Sequence, residues 1–268
     1  MKNLLLRLKF AWGYINHVDT DTQPPIDLIF KFVDTFDKPK TREHIRAFSA
    51  LPIAQKLYQD ELPLRLLTQK NTYPKGTFGY EVKNFMETDD NIIDLIQASL
   101  IPYRASEKRN SKFNKYAEAE MWQHDMIHLM NGYDVSALGE VSVLAFTLAH
   151  RWRESYSTIL FASFFISLRN TFMPSKYPKG NGFIKSILYP PILVYLRCIT
   201  EAYLRGRKTK WFLSIDWESY LYTPFEEVKK KLNVSNPPKF WDFIEESRLI
   251  SAEQNWEQAK RKKQENTK

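Results

Sequence analysis

The segment Trp122–His128 holds two histidines and one aspartate at spacings that suit metal binding. On an α-helix each side chain is rotated by about 100° from the one before, so His124, Asp125 and His128 fall within one arc of roughly 100°. Two imidazole nitrogens and a carboxylate oxygen could therefore converge on one cation. This spacing predicts a metal site on a helix.

Glu140 is the candidate for a fourth donor. It follows His128 after the segment Leu129–Gly139, which contains the helix-stopping residue Gly132. A helical hairpin with its turn in this segment would return the carboxylate to the cluster, giving two nitrogen and two oxygen ligands. A ligand set without thiolate suits zinc, which we expect first, and also manganese, iron or cobalt.

The carboxylates of Asp125 and Glu140 also suit proton transfer. If only three protein groups bind the metal, the remaining carboxylate is free to act as an acid or a base. The residues do not decide between the two. The alternative interpretation is structural, since polar pairs four residues apart are ordinary on helices, and both histidines could then lie at the edge of the core.

The elements that must position these residues are predicted to be helices, because the chain is rich in apolar residues and contains only 8 glycines. The clearest ones run from Lys115 to Asn131, with Gly132 after the last turn, and from Ala137 to Arg153. Apolar periodicity and breaking residues indicate further helices over Ile26–Phe36, Thr41–Leu57, Leu62–Leu67, Glu81–Thr88, Tyr156–Phe172, Phe183–Leu204 and Thr223–Leu232.

A length of 268 residues favours one core with terminal extensions over two independent domains. Residues 1–24 are predicted to form an amphipathic helix and a linker. Residues 25–236 are predicted to form the core domain, and residues 237–268 form a charged extension with few apolar groups.

The formal charge of +8 predicts an anionic partner. The basic residues stand in separate clusters rather than alternating with aromatic residues along one segment, so we expect a peripheral membrane surface and no nucleic acid. No window approaches 18 uninterrupted apolar residues, so no membrane-spanning helix is expected. Cys198 is the only cysteine, which excludes an intrachain disulfide and indicates a buried thiol in a reducing compartment.

The His124-Asp125-x-x-His128 pattern with Glu140 is similar to the signature of the coenzyme Q biosynthesis protein 4 family. The pairs Gly132-Tyr133 and Gly139-Glu140 accompany it. The resemblance extends to a loop motif at Thr77-Phe78-Gly79 and to a C-terminal part that comprises Arg205-Gly206-Arg207, Trp217-Glu218 and Pro224-Phe225-Glu226-Glu227. Together these segments cover residues 26–232.

This resemblance implies an all-α, single-domain helical bundle in which His124, Asp125, His128 and Glu140 bind a divalent metal. The implied activity is ubiquinone biosynthesis by removal of the ring carboxylate of a 4-hydroxy-3-methoxy-5-polyprenylbenzoate, with or without hydroxylation. The partners that we expect are this prenylated precursor, other ubiquinone biosynthesis proteins and a second copy of the chain. The expected location is cytoplasmic, on the inner face of the cytoplasmic membrane, because the N-terminus lacks the features of a signal peptide.

Three other functions remain open on the residues. The first is a non-catalytic, lipid-binding scaffold of a ubiquinone biosynthesis complex, which a fully closed metal site would favour. The second is a zinc hydrolase, although Asp125 is shorter than the glutamate such helices use. The third is a phosphohydrolase built on a His-Asp pair, which would need further ligands such as His44 and Asp216.

Overall fold

A computed structural model describes residues 38–54, 56, 73–88, 111–134, 137–172 and 191–235. Within these ranges the regular secondary structure is helical, so the all-α prediction is confirmed. The predicted amphipathic N-terminal helix and the charged C-terminal extension lie outside the described residues, as do the predicted helices Ile26–Phe36 and Leu62–Leu67.

The described helices are seven α-helices and two short 3-10 helices. The α-helices are α1 (Lys38–Ser49), α2 (Phe78–Thr88), α3 (Ser111–Asn131), α4 (Ala137–His150), α5 (Glu154–Phe172), α6 (Pro191–Lys208) and α7 (Phe225–Leu232). The 3-10 helices, Phe212–Ser214 and Trp217–Tyr220, lie between α6 and α7.

Two helices begin at residues other than the predicted ones. Helix α1 begins at Lys38, before the predicted start at Thr41, because Pro39 is compatible with the first turn of a helix. Helix α7 begins at Phe225, two residues after the predicted start at Thr223, and Pro224 occupies the cap position without a side-chain hydrogen bond.

Helix α3 is the central helix of the bundle. Its second half is buried on most of its circumference, including the apolar residues Trp122, Met126, Ile127 and Met130. A helix that is buried on several sides must place some polar residues inside, and these need partners. For example, the Asn131 amide nitrogen donates to the Ile127 carbonyl at 3.0 Å.

Helices α4, α5 and α6 pack against one another beside α3. The phenol of Tyr195 on α6 donates to the carbonyl oxygen of Leu160 on α5. Cys198 is buried on α6, as predicted, and burial raises the pKa of its thiol to about 12. It is therefore a packed core residue, consistent with a neutral thiol.

The loop motif and the C-terminal segment form one structural unit. The backbone N–H of Phe78 donates to the Thr223 carbonyl at 2.9 Å, and that of Gly79 donates to the Leu221 carbonyl at 2.9 Å. The Phe78 ring stacks on Trp217 with centroids 5.4 Å apart. The loop motif and the C-terminal segment, which are distant in sequence, therefore pack directly against each other.

One face of α6 combines exposed apolar and basic side chains. The exposed positions spaced along this face are Leu193, Leu196, Arg197, Thr200, Tyr203, Leu204, Arg207 and Lys208. The neighbouring helix α5 also exposes Phe161 and Phe165. No helix among the described residues is both long enough and apolar enough to traverse a bilayer.

Candidate metal centre

His124, His128 and Glu140 bring their donor atoms together at the α3–α4 hairpin. The two imidazole Nε2 atoms are 3.1 Å apart. One Glu140 carboxylate oxygen lies 3.2 Å from Nε2 of His124, and the other lies 3.3 Å from Nε2 of His128. Within the described part of the chain, these three residues form the one group of three or more potential metal donors.

The turn after α3 returns the chain to this site. Gly132 has a φ of 66°, the left-handed conformation that glycine adopts at the lowest cost at a helix end. The N–H of Tyr133 then bonds back to the carbonyl of His128 at 3.1 Å. This bond is the long-range one of a Schellman motif, so the helix stop is built on a candidate metal ligand.

The start of α4 passes very close to the turn. A Cβ added to Gly139 would lie 1.7 Å from the carbonyl oxygen of Asp134, so no larger residue fits without movement of the backbone. This close approach brings the first turn of α4 beside the last turns of α3. The carboxylate of Glu140, next in the sequence, thereby reaches both histidines.

The Tyr133 carbonyl oxygen also fixes the His128 ring. It lies 3.1 Å from Nδ1 of His128, inside the core. A carbonyl oxygen only accepts, so Nδ1 must carry the hydrogen, and Nε2 of a neutral ring has a free lone pair. The metal-binding nitrogen of His128, Nε2, therefore faces His124 and Glu140.

The donor set fits a divalent cation. Two imidazole nitrogens and a carboxylate cannot approach this closely unless a proton or a metal ion lies among them. Zinc bonds of about 2.0–2.1 Å in a tetrahedral arrangement separate neighbouring donors by about 3.3 Å. The two Nε2 atoms lie 3.1 Å apart, and each lies 3.2–3.3 Å from a different oxygen of Glu140. The residues therefore match a zinc site with three protein ligands.

The electrostatics of the cluster are those of an ion-pair site. Burial lowers the pKa of His124, but the charge of Glu140 and its hydrogen bond outweigh this and raise the pKa above its ordinary value. Burial raises the pKa of Glu140, yet the charge of His124 and the hydrogen bond from that ring hold the pKa well below its usual range. Glu140 is therefore ionised and available to a cation at neutral pH.

Asp125 does not join the three-residue group. It lies 100° around the helix from His124, whereas His128 lies only about 40° away, so the two histidines share a face and Asp125 turns toward the core. Its Oδ2 atom is buried without a hydrogen-bond partner in the described structure, and burial raises its pKa to about 6. Its role as a metal ligand stays a prediction.

The sequence analysis did not anticipate the role of Tyr133. Its contact with the site is made by its backbone rather than by its phenol. Gly132 was the available signal, because a Schellman stop there returns the next residue to His128. Among the described residues, His44 and Asp216 belong to no donor group, and Asp216 pairs with Lys56 at 3.0 Å.

Comparison with known proteins agrees with the resemblance. No family model matches the chain. The ubiquinone biosynthesis protein COQ4 homolog, mitochondrial, of Nematostella vectensis is 24% identical over 170 residues, which are 63% of this chain and 71% of that protein. A crystal structure from Nostoc punctiforme, described as that of a ubiquinone biosynthesis protein, superposes with a TM-score of 0.53 at 17% identity, covering 87% of this chain and 96% of that one. The sequence of the chain is thus similar to a curated coenzyme Q biosynthesis protein 4 homologue, and the resemblance that its motifs predicted is confirmed.

Proposed function

We propose that this protein acts in ubiquinone biosynthesis and removes the ring carboxylate of a 4-hydroxy-3-methoxy-5-polyprenylbenzoate with the help of a divalent metal, zinc first. The observation that carries the proposal is the convergence of His124, His128 and Glu140 at 3.1–3.3 Å. The similarity to a protein named for ubiquinone biosynthesis supports the pathway.

The number of ligands favours an enzyme over a scaffold. Structural zinc sites are usually closed by four protein ligands, whereas catalytic sites keep one position for water or substrate. Here three residues supply the donors, and Asp125 remains outside the group. When bound, the metal would polarise and orient an oxygen of the substrate.

Asp125 is the proton donor that we propose. When the bond between the ring and the carboxylate breaks, its electron pair stays on the ring carbon and carbon dioxide leaves. That carbon then takes a proton from the Asp125 carboxyl, which recovers one from solvent. Burial favours the protonated form of the Asp125 carboxyl, which is the form that this step needs.

The test is turnover of a short-chain prenylated 4-hydroxy-3-methoxybenzoate by zinc-loaded protein, with analysis of whether hydrogen or hydroxyl replaces the carboxylate. We expect activity in the wild type and none in His124→Ala or Glu140→Gln. Glu227→Gln is the matched control, because that carboxylate pairs with exposed Lys231 on α7. Bound metal without turnover in the wild type would overturn the enzyme proposal and favour the scaffold.

We also propose that the exposed face of α6 rests on an anionic membrane surface, expected to be the inner face of the cytoplasmic membrane. Its exposed charged residues are all basic, namely Arg197, Arg207 and Lys208, and they alternate with exposed apolar residues such as Leu193 and Leu204. Apolar contact and attraction to anionic lipid would then act together, with each basic residue contributing about 1 kcal/mol. A prenylated substrate resides in the same bilayer.

Sedimentation with vesicles tests this surface. We expect binding to phosphatidylglycerol-containing vesicles and little binding to pure phosphatidylcholine. The double variant Leu193→Ser, Leu204→Ser should lose binding, while Lys230→Ala, an exposed basic position on α7, should retain it. Equal loss in both variants would contradict a specific α6 surface.

A further inference from the structure

Arg205 is a buried arginine on a helix whose other described arginines are exposed. It is 7% exposed, whereas Arg197 and Arg207 on the same helix face solvent. Its Nη2 donates to the carbonyl of Ser235, and its Nε and Nη1 have no hydrogen-bond partner among the described residues. Burying an incompletely paired guanidinium is costly, so its position calls for a reason.

One neighbour of this guanidinium is the ring of Tyr133. The central carbon of the Arg205 guanidinium lies 5.4 Å from the centroid of the buried Tyr133 ring, within the range of a cation–π contact. Helix α6 thereby holds the residue that follows the C-terminal stop of α3. Ser235, after α7, is tied to the same arginine.

Tyr133 in turn is bonded to His128 at both of its backbone polar groups. Its N–H donates to the His128 carbonyl at 3.1 Å, and its carbonyl oxygen lies 3.1 Å from Nδ1 of the His128 ring. A displacement of Tyr133 would therefore move the acceptor that fixes the ring. The contacts therefore link Arg205 through Tyr133 to the His128 ring, whose Nε2 faces the cluster.

We infer that Arg205 is a positioning residue of the His124–His128–Glu140 cluster, which holds Tyr133 so that the Tyr133 carbonyl keeps Nε2 of His128 facing the cation. This inference rests on the proposed metal site. Groups that orient a ligand histidine typically change metal affinity by about 10-fold to 100-fold. We expect a weakening of this size when Arg205 is removed, with a smaller effect when lysine replaces it.

The experiment measures zinc affinity by competition with a chromophoric chelator, with the fold of each metal-free protein checked by circular dichroism. Arg205→Ala should weaken zinc binding at least about 10-fold, and Arg205→Lys should do so less. Arg207→Ala, on the same helix and exposed, should match the wild type.

A double-mutant cycle separates this route from general loosening. In a Tyr133→Leu background the arginine has no ring to hold, so adding Arg205→Ala should have little further effect on zinc affinity. Equal weakening in both backgrounds, or unchanged affinity in Arg205→Ala, would overturn the inference.

The ring nitrogens of His128 in the wild type give a measurement that needs no variant. Their nuclear magnetic resonance signals should show a hydrogen on Nδ1, and a hydrogen on Nε2 would overturn the route through Tyr133 even if Arg205→Ala fails to fold. Absence of zinc binding in the wild type would overturn the metal site itself. Wild-type binding that Arg205→Ala leaves unchanged overturns only the positioning role.

Discussion

Nδ1 of His128 lies 3.1 Å from the carbonyl oxygen of Tyr133, the second residue after the end of the helix that carries His128. The same tyrosine returns its N–H to the His128 carbonyl. The stop of α3 and the orientation of a candidate ligand are therefore one structural feature. A substitution in the turn should therefore change the affinity of the site for zinc.

Alanine substitution at Gly132 tests this coupling. Its φ of 66° is strained for any residue with a Cβ, so Gly132→Ala should lower the free energy of unfolding by about 1 kcal/mol. It should also weaken zinc binding. Gly76 is the matched control, because it has a φ of 81° and open space around its Cβ position. Gly76→Ala should cost similar stability and leave zinc affinity unchanged, and equal effects on affinity would contradict the coupling.

Asp125→Asn separates a ligand from an acid. If Asp125 supplies the proton, the variant should keep its zinc and lose about 10²-fold to 10⁴-fold in turnover. Zinc content and single-turnover rate measure the two effects independently. A loss of zinc comparable to that of His124→Ala would instead show that Asp125 completes the ligand set.

His150 predicts a pH dependence of stability that is independent of the metal. Its ring contacts those of Phe146 and Phe212, its Nε2 lies 3.0 Å from the Thr209 hydroxyl, and burial lowers its pKa to about 4. The unfolded chain, with a histidine pKa near 6.5, binds more protons between these values, so stability falls as the pH decreases from about 6.5 to about 4.

The size of that loss is at most about 3 kcal/mol, and partial exposure of the ring reduces it. Denaturant titrations of the wild type and His150→Gln across this pH range measure it. In the variant, the free energy of unfolding should depend less steeply on pH between about 6.5 and about 4. Above pH 7 the pH dependence of the two proteins should be the same. Parallel curves below pH 6 would contradict the assignment.

The buried ion pair of Glu120 and Arg153 should contribute strongly to the free energy of unfolding. The Arg153 side chain is 3% exposed, contacts Glu120 directly and lies over the ring of Tyr116. Glu120→Gln leaves this charge buried without its counter-ion and should cost about 3–5 kcal/mol. Glu227→Gln breaks a solvent-exposed pair on α7 and should cost far less in the same unfolding experiment, because solvent screens such pairs.

The helical class and the hairpin followed from the sequence because their signals are local. Gly132 marked the end of α3, and the spacing of His124 and His128 placed both on one face. The spacing did not separate Asp125 from the predicted ligands, because all three side chains fall within one arc of roughly 100° on a helix. Arg205 could not be linked to His128 either, since that contact joins residues distant in sequence through tertiary structure alone.

The zinc content of purified protein, after loading and dialysis, is the first measurement to make of the proposed metal centre. We predict near-stoichiometric zinc in the wild type and in His150→Gln, and little zinc in His128→Gln, although both variants replace a histidine on the same hairpin. Zinc retained by His128→Gln, or absent from the wild type, would contradict a metal centre formed by His124, His128 and Glu140.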